Sequence, residues 1–244
     1  ILKAREKNAL HLHFTMEDNP ALSEAVKRRY RTTYSGAFYR RFVLGEWTRA
    51  QGLVYDFFDR ERDCAAPVDE PCEAYAVSVD YGTANPASFG LWGRRGTVWY
   101  RIDEYYYASR REGKQKTDAE YVEELWRLLD GRRPDVVVVD PSAASFIEAL
   151  RRTGLRVQKA DNDVLWGIRV TAGMLKEKKL ILCSNCADCL REMELYCWEE
   201  GAVRDVPRKE HDHAMDEMRY FAAYLAQQER GDGFYAAAVV RRAG

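Results

Sequence analysis

Apolar and polar positions alternate most clearly in the middle of the chain. Residues 75–79 place larger apolar side chains at every second position, which is the pattern of a strand, and the run ends at Asp80. Residues 87–93 and 97–106 predict two more strands, the second rich in aromatic and β-branched side chains. Because the connections are short, the three strands are expected to form an antiparallel meander.

Helical and strand patterns alternate beyond this meander. Thr117 and Glu120 have the spacing of a capping box and predict the start of a helix. A continuous apolar run at 135–139 indicates a strand covered on both faces, and it stops at Asp140. The remaining pattern predicts helices at 145–153, 164–179, 186–199 and 214–228, with extended segments at 155–159 and 180–183. This order predicts an α/β fold whose mixed sheet joins the meander to parallel strands, with helices on its flanks.

The ends of the chain differ from its middle. Residues 1–64 carry short helical patterns and many aromatic side chains but no long element, and a polar, proline-bearing stretch follows. We therefore expect a separate N-terminal segment at 1–64, a main domain at 65–230 and a loose tail at 231–244. The apolar runs are too short for a membrane span, and the N-terminus lacks the pattern of a secretion signal.

Acidic residues stand at the ends of predicted strands. Asp80 and Asp140 would emerge at the same sheet edge if their strands are neighbours, and carboxylates held close together suit Mg²⁺ or Mn²⁺. His213 and Asp216 would share one helix face, so both can reach the same metal site. The alternative is that these residues only form turns or cap helices, with Asp212 as an N-cap.

Other candidate residues are accessory. Asp212 could add a ligand at this edge, and Glu104 could also reach it, because Asp103 and Glu104 point to opposite faces of their strand. Lysine and arginine (38) nearly balance aspartate and glutamate (39), so DNA contact would have to come from local clusters. The candidate cluster follows the third predicted strand and consists of Arg110, Arg111, Lys114 and Lys116, although such residues also occur as ordinary solvated surface.

Three of the six cysteines, Cys183, Cys186 and Cys189, have a spacing that is compatible with zinc. No second pair completes a tetrahedral site, and Cys186 and Cys189 share the apolar face of a predicted helix. Core packing therefore explains these side chains better than a zinc site, and reduced thiols are expected.

Several motifs resemble those of one protein family. Segments 18–23, 34–47 and 52–55 resemble the end of the motor domain and the linker of the large terminase subunit of tailed phages, in its PBSX-like group. The three nuclease motifs of that subunit are similar to Val79-Asp80-Tyr81-Gly82, Val139-Asp140-Pro141-Ser142-Ala143 and Asp212-His213-Ala214-Met215-Asp216-x-Met218-Arg219-Tyr220. The resemblance implies a ribonuclease H-like nuclease in which Asp80, Asp140 and Asp216 bind two Mg²⁺ or Mn²⁺ ions, with His213 as a further ligand.

The same resemblance implies a function and partners. It implies a two-metal endonuclease that cuts concatemeric viral double-stranded DNA during packaging, in the cytoplasm of a bacterial host. Its partners would be its own ATPase domain, the small terminase subunit and the portal. No phosphate-loop motif occurs, so an ATPase active site is not expected in this chain. Two alternatives remain open: another ribonuclease H-like nuclease, such as a junction resolvase or transposase, and a catalytically silent module that docks to the packaging machinery or portal.

Overall fold

A seven-stranded mixed sheet forms the centre of the protein. The computed structural model describes residues 12–34, 36–46, 50–69, 71–202 and 204–242. The strands are β1 (Cys64–Ala65), β2 (Ala74–Asp80), β3 (Ala87–Arg95), β4 (Val98–Tyr107), β5 (Val136–Val139), β6 (Val157–Lys159) and β7 (Leu180–Cys183). They lie in the order β1-β7-β4-β3-β2-β5-β6.

The predicted meander is confirmed. Strands β2, β3 and β4 pair antiparallel, and the β3–β4 connection turns at Gly96, whose positive φ of 59° is a conformation that glycine adopts without strain. Strand β5 pairs parallel with β2, β6 pairs parallel with β5, and β7 pairs parallel with β4. The four residues of β5 are all buried, as their continuous valine run predicts.

Helices cover both faces of the sheet. The helices are α1 (Glu24–Thr33), α2 (Gly36–Phe42), α3 (Arg60–Asp63), α4 (Ser109–Glu112), α5 (Asp118–Leu129), α6 (Ala144–Arg152), α7 (Val164–Lys176), α8 (Ala187–Met193) and α9 (His213–Arg242). On one face Phe89 packs against Tyr121 of α5 and Phe146 of α6. On the other, Trp92 stacks on Phe221 of α9. The predicted α/β architecture is therefore confirmed.

The structure departs from the sequence-based prediction at three places. Strand β1 straddles the predicted boundary at 64/65 and pairs with β7, because two residues are too few to show a period. Helix α8 ends at Met193, where the chain turns to form a bridge between Leu53 and Cys197. Helix α9 continues to Arg242, beyond the end predicted at residue 228, and the loose tail expected at 231–244 stays a prediction.

The N-terminal part of the described chain packs closely on the sheet domain. Ala50, Val54 and Tyr55 belong to the same buried cluster as the sheet, and the backbone N–H of Val54 donates to the carbonyl of Tyr196. Residues 1–11, 35 and 47–49 of the predicted N-terminal segment lie outside the described residues. Among the described helices, none combines the length and apolar character that a membrane span requires.

Candidate functional site

Asp80 and Asp140 lie side by side at one edge of the sheet. Val79 of β2 is in register with Val139 of β5, and the backbone N–H of Asp140 donates to the carbonyl of Val79 at 3.2 Å. Each aspartate follows its paired valine directly. The parallel pairing of β2 and β5 therefore brings both carboxylates to the same edge, as the sequence predicts.

The first turn of α9 brings further side chains to this edge. The His213 ring Nδ1 lies 2.9 Å from Asp80 Oδ2, and Asp212, His213 and Asp216 all face the same pocket. The turn is held by Glu192 of α8, a fully buried residue whose carboxylate accepts the backbone N–H of Ala214 at 2.6 Å. Glu192, rather than Asp212, supplies this side-chain cap.

These residues line a pocket of about 610 Å³. Its wall comes from the loop after β2, the end of β5, the loop before α7 and the start of α9. The lining residues are Asp80, Tyr81, Gly82, Thr83, Ala84, Asn85, Pro86, Asp140, Asn162, Val164, Lys209, Asp212, His213, Asp216, Arg219 and Tyr220. Four aspartates therefore share one cavity with a histidine and two cations.

The electrostatics of the pocket centre on Asp80. The pKa of Asp80 is raised to about 6, mainly by burial and also by the negative charges of Asp216 and Asp140, against the opposing effect of His213. Burial lowers the pKa of His213, but the hydrogen bond and charge of Asp80 outweigh it, so the net shift is upward. The site is therefore crowded with negative charge that a cation would stabilise.

Asp140 and Asp216 each have partners of their own. The backbone N–H and the hydroxyl of Ser142 both donate to the Asp140 carboxylate at 2.9 Å. Asp216 accepts from Arg219 Nε at 3.1 Å and lies 3.4 Å from Lys209 Nζ. Within the described part of the chain, no three His, Cys, Asp or Glu side chains are grouped closely enough to hold a metal ion as they stand.

Glu104 lies outside this pocket, which corrects its prediction as an accessory residue. Its carboxylate accepts the backbone N–H groups of Asp188 and Cys189 at 2.7 and 3.1 Å, so it caps α8. It also lies 3.2 Å from Arg101. Strand alternation correctly predicted that Asp103 and Glu104 point to opposite faces of the sheet. The face on which Glu104 lies packs against α8 at this position and not against the acidic pocket.

The four cations of the predicted basic cluster have different surroundings. Arg110 and Lys114 line a smaller pocket of about 300 Å³. Arg111 pairs with the adjacent Glu112 at 3.2 Å. Lys116 pairs with Glu124 at 2.5 Å, and its ammonium lies over the rings of Tyr105 and Tyr107.

The three closely spaced cysteines are buried. Cys186 Sγ lies 3.2 Å from the carbonyl of Arg101, and burial raises the pKa of the Cys183 thiol to about 11. Burial also raises the pKa of Cys189 well above its ordinary value. These thiols belong to the hydrophobic core, in agreement with the packing interpretation of their spacing.

A buried ion pair that the sequence did not predict includes Glu217, the residue next to Asp216 of the acidic pocket. Arg101 of β4 and Glu217 of α9 form a salt bridge with both side chains fully buried. The Ser78 hydroxyl also donates to Glu217, and Trp92 Nε1 donates to Ser78 at 2.7 Å. Because Glu217 follows Asp216 directly, this pair fixes α9 on the sheet next to the pocket.

Gly90 makes room for this pair. A Cβ atom at Gly90 would overlap both Arg101 Nη1 and Glu217 Oε1. Glycine in the interior of a strand often indicates a close approach by another group. That signal was present in the sequence, although it does not identify the approaching groups.

Comparisons with known proteins identify relatives of this chain. No protein-family profile matches it. The crystal structure of the large terminase of the thermophilic bacteriophage D6E is 48% identical, covers 91% of this chain and 56% of that one, and superposes with a TM-score of 0.83. The large terminase subunit of Escherichia phage T5 is 23% identical over 87% of this chain and 51% of its own length. The chain is homologous to phage terminase large subunits.

This terminase homologue spans about half the length of the D6E and T5 proteins. The large terminase nuclease of the thermophilic phage G20c, solved with bound magnesium, has a TM-score of 0.54 at 15% identity and covers 71% of this chain and 96% of that one. Terminase nuclease domains have a ribonuclease H-like fold, and the seven-stranded sheet described above is of this type. The predicted ribonuclease H-like fold is therefore confirmed.

Proposed function

We propose that this chain is a metal-dependent endonuclease that cuts concatemeric viral double-stranded DNA during genome packaging. The observation that carries the proposal is the pocket that gathers Asp80, Asp140, Asp216 and His213 at one edge of a ribonuclease H-like sheet. Homology to large terminases supports a packaging nuclease, and the magnesium bound by the G20c nuclease supports a divalent cation.

The donor set of the pocket fits hard divalent ions. Asp80, Asp140 and Asp216, with His213 as a further ligand, would hold two Mg²⁺ or Mn²⁺ ions, and Asp212 lies close enough to assist. The raised pKa of Asp80 supports this assignment, because a cation would relieve the repulsion between the carboxylates. Two bound ions would activate a water molecule and stabilise the charge on the leaving oxygen.

Neighbouring side chains orient the proposed metal ligands. His213 orients Asp80, Ser142 holds Asp140, and Arg219 and Lys209 neutralise Asp216. The carboxylates do not yet converge on one point, so bound ions would have to draw them closer together. Asp80, which lies between the other two motifs, is our candidate for the carboxylate shared by both ions.

Nicking of supercoiled plasmid tests this function. We expect cleavage with Mg²⁺ or Mn²⁺ and none in excess chelator, and loss of cleavage in Asp80→Asn, Asp140→Asn and Asp216→Asn. Asp130→Asn is the matched control, because Asp130 is exposed and its left-handed backbone suits asparagine equally well. Robust cleavage in chelator would overturn the metal assignment.

Cleavage assays also separate the two alternatives, if a four-way junction and a linear duplex are added to the plasmid as substrates. A junction resolvase would cut a four-way junction in preference to linear duplex, whereas a packaging nuclease should cut both at similar rates. A silent packaging or portal-docking module would leave the plasmid intact with either ion. Either result would overturn the proposal in favour of that alternative.

The remaining assignments concern the whole protein. We propose that residues 1–64 are the end of an ATPase domain with its linker, and that residues 65–230 form the nuclease domain. The partners of the full protein would be double-stranded DNA, its own ATPase domain, the small terminase subunit and the portal, in the cytoplasm of the bacterial host. Co-purification of a full-length protein with these components tests the partner assignment.

A further inference from the structure

We propose that a groove beside the acidic pocket holds the phosphate backbone of duplex DNA through Arg110 and Lys114. This inference rests on the proposed nuclease function, because it names the surface that carries the substrate to the acids. The groove is the smaller pocket of about 300 Å³. It is lined by Ala84, Ser109, Arg110, Gly113, Lys114 and Gln115.

The groove adjoins the acidic pocket. Ala84 lines both cavities, and it lies in the loop that directly follows Asp80 and the end of β2. The hydroxyl of Ser109 donates to the carbonyl of Ala84 at 3.1 Å, which connects the start of α4 to the loop after β2. A DNA strand that reaches Asp80 can therefore pass from one cavity into the other across Ala84.

The loop that carries the cations is held in place. Gly113 has a positive φ of 67° and ends the short helix α4, and a Cβ atom there would meet no other atom within 4 Å. The hydroxyl of Tyr107 donates to the carbonyl of Lys114 at 2.8 Å. The backbone is thus fixed from one side while the other side stays open to solvent.

Arg110 and Lys114 are the members of the cluster that line the groove. Arg110 is exposed, and it makes no ion pair within the described residues. Lys114 has 67% of its side chain exposed and pairs with Glu120, a contact that costs little to exchange at the surface. Lys116 is unsuited, because its side chain is 16% exposed and already pairs with Glu124.

Charge balance explains why such a surface is needed. Four aspartates line the acidic pocket and repel phosphate, while the whole chain has a net charge of −1. Binding energy for DNA must therefore come from cations outside the acids, within reach of the phosphates that flank the scissile bond. Arg110 adds a forked donor that matches phosphate oxygens.

The test compares two double variants in DNA binding without divalent ions. Arg110→Ala with Lys114→Ala removes the groove cations, whereas Arg127→Ala with Arg152→Ala removes two exposed, ion-paired arginines elsewhere. Fluorescence anisotropy on a mixed-sequence duplex gives the slope of log K against log salt. We expect the groove variant to flatten this slope by about one to two units, since each phosphate contact contributes roughly 0.9, and the control to keep it.

A charge-conserving variant and melting temperatures distinguish loss of DNA contacts from loss of folding. Arg110→Lys with Lys114→Arg retains both charges and should retain the slope, and equal melting temperatures exclude unfolding as the cause of any loss. An unchanged slope in the alanine groove variant, with a wild type that cuts plasmid, would overturn the groove alone. A flattened slope with a wild type that fails to cut would overturn the proposed nuclease and leave the groove as a DNA-binding surface.

Discussion

Breaking the buried Arg101–Glu217 pair should destabilise the protein strongly. Both side chains are fully buried, so Arg101→Met leaves the Glu217 carboxylate in the core with Ser78 and Trp92 as its remaining neighbours. Removing one partner of a buried pair costs about 3–5 kcal/mol, because the other charge stays desolvated. We expect Arg101→Met and Glu217→Met each to lower the free energy of unfolding by about that amount.

The double variant tests the cause of this loss. If an unpaired buried charge is responsible, replacing both residues with Met removes both charges, and the cost should be no larger than that of either single variant. The coupling energy from the double-mutant cycle would then be at least about 3 kcal/mol. The exposed pair Glu148–Arg152 serves as control, and its cycle should give a coupling below about 0.5 kcal/mol.

Urea unfolding followed by tryptophan fluorescence measures each variant, and the slope against urea must stay constant for the comparison to hold. Losses at Arg101 and Glu217 that add within about 0.5 kcal/mol would refute the reasoning, because they would show that the two charges do not depend on each other. Single losses below about 1 kcal/mol would refute it as well, since they would indicate that solvent reaches the pair.

Three further predictions follow from single contacts. The pKa of Asp80 is raised to about 6, so without metal this residue stabilises the fold most below about pH 4, and the stabilisation is lost as the pH rises through 6. The free energy of unfolding of the wild type should therefore fall by about 2–3 kcal/mol over this range, and Asp80→Asn should not show this fall. The same pH dependence of urea unfolding in both proteins would contradict the prediction. A Cβ atom on Gly82 would overlap the carbonyl oxygens of Asn85 and Pro86. Gly82→Ala should therefore shift the loop that lines the pocket and slow plasmid nicking at least about tenfold. A wild-type rate of nicking in this variant would show that the loop accommodates the methyl group without moving the site. Thr117→Ala should cost about 1 kcal/mol in urea unfolding through loss of the capping box on α5, and Thr117→Ser should restore it.

Local patterns predicted much of the fold. The alternation at 75–79 and the valine run of β5 identified the two strands that carry Asp80 and Asp140, and the capping box at Thr117 marked the start of α5. These features depend only on residues that are close together in the chain, so the sequence pattern is sufficient to predict them. The placement of Asp80 beside Asp140 needed one added assumption, that β2 and β5 are parallel neighbours.

Features that depend on distant parts of the chain were not predictable in the same way. Strand β1 has two residues and exists only because the edge of β7 accepts it. Arg101 and Glu217 are separated by more than one hundred residues, and charged side chains in a sequence are ordinarily assigned to the surface. Glu104 followed the correct alternation, yet only the position of α8 decides what its carboxylate contacts.

The location of Asp216 on α9, downstream of all strands of the described sheet, has a consequence for the order in which the site is assembled. Asp80, Asp140 and Asp216 are far apart along the chain, and α9 also supplies Glu217 to the buried pair with Arg101. During synthesis the ribosome releases the strands of the sheet well before this helix emerges, and contacts between distant segments form late in folding. A nascent chain that ends before α9 therefore lacks Asp216 and Glu217, so the pocket can be completed only after α9 has been synthesised.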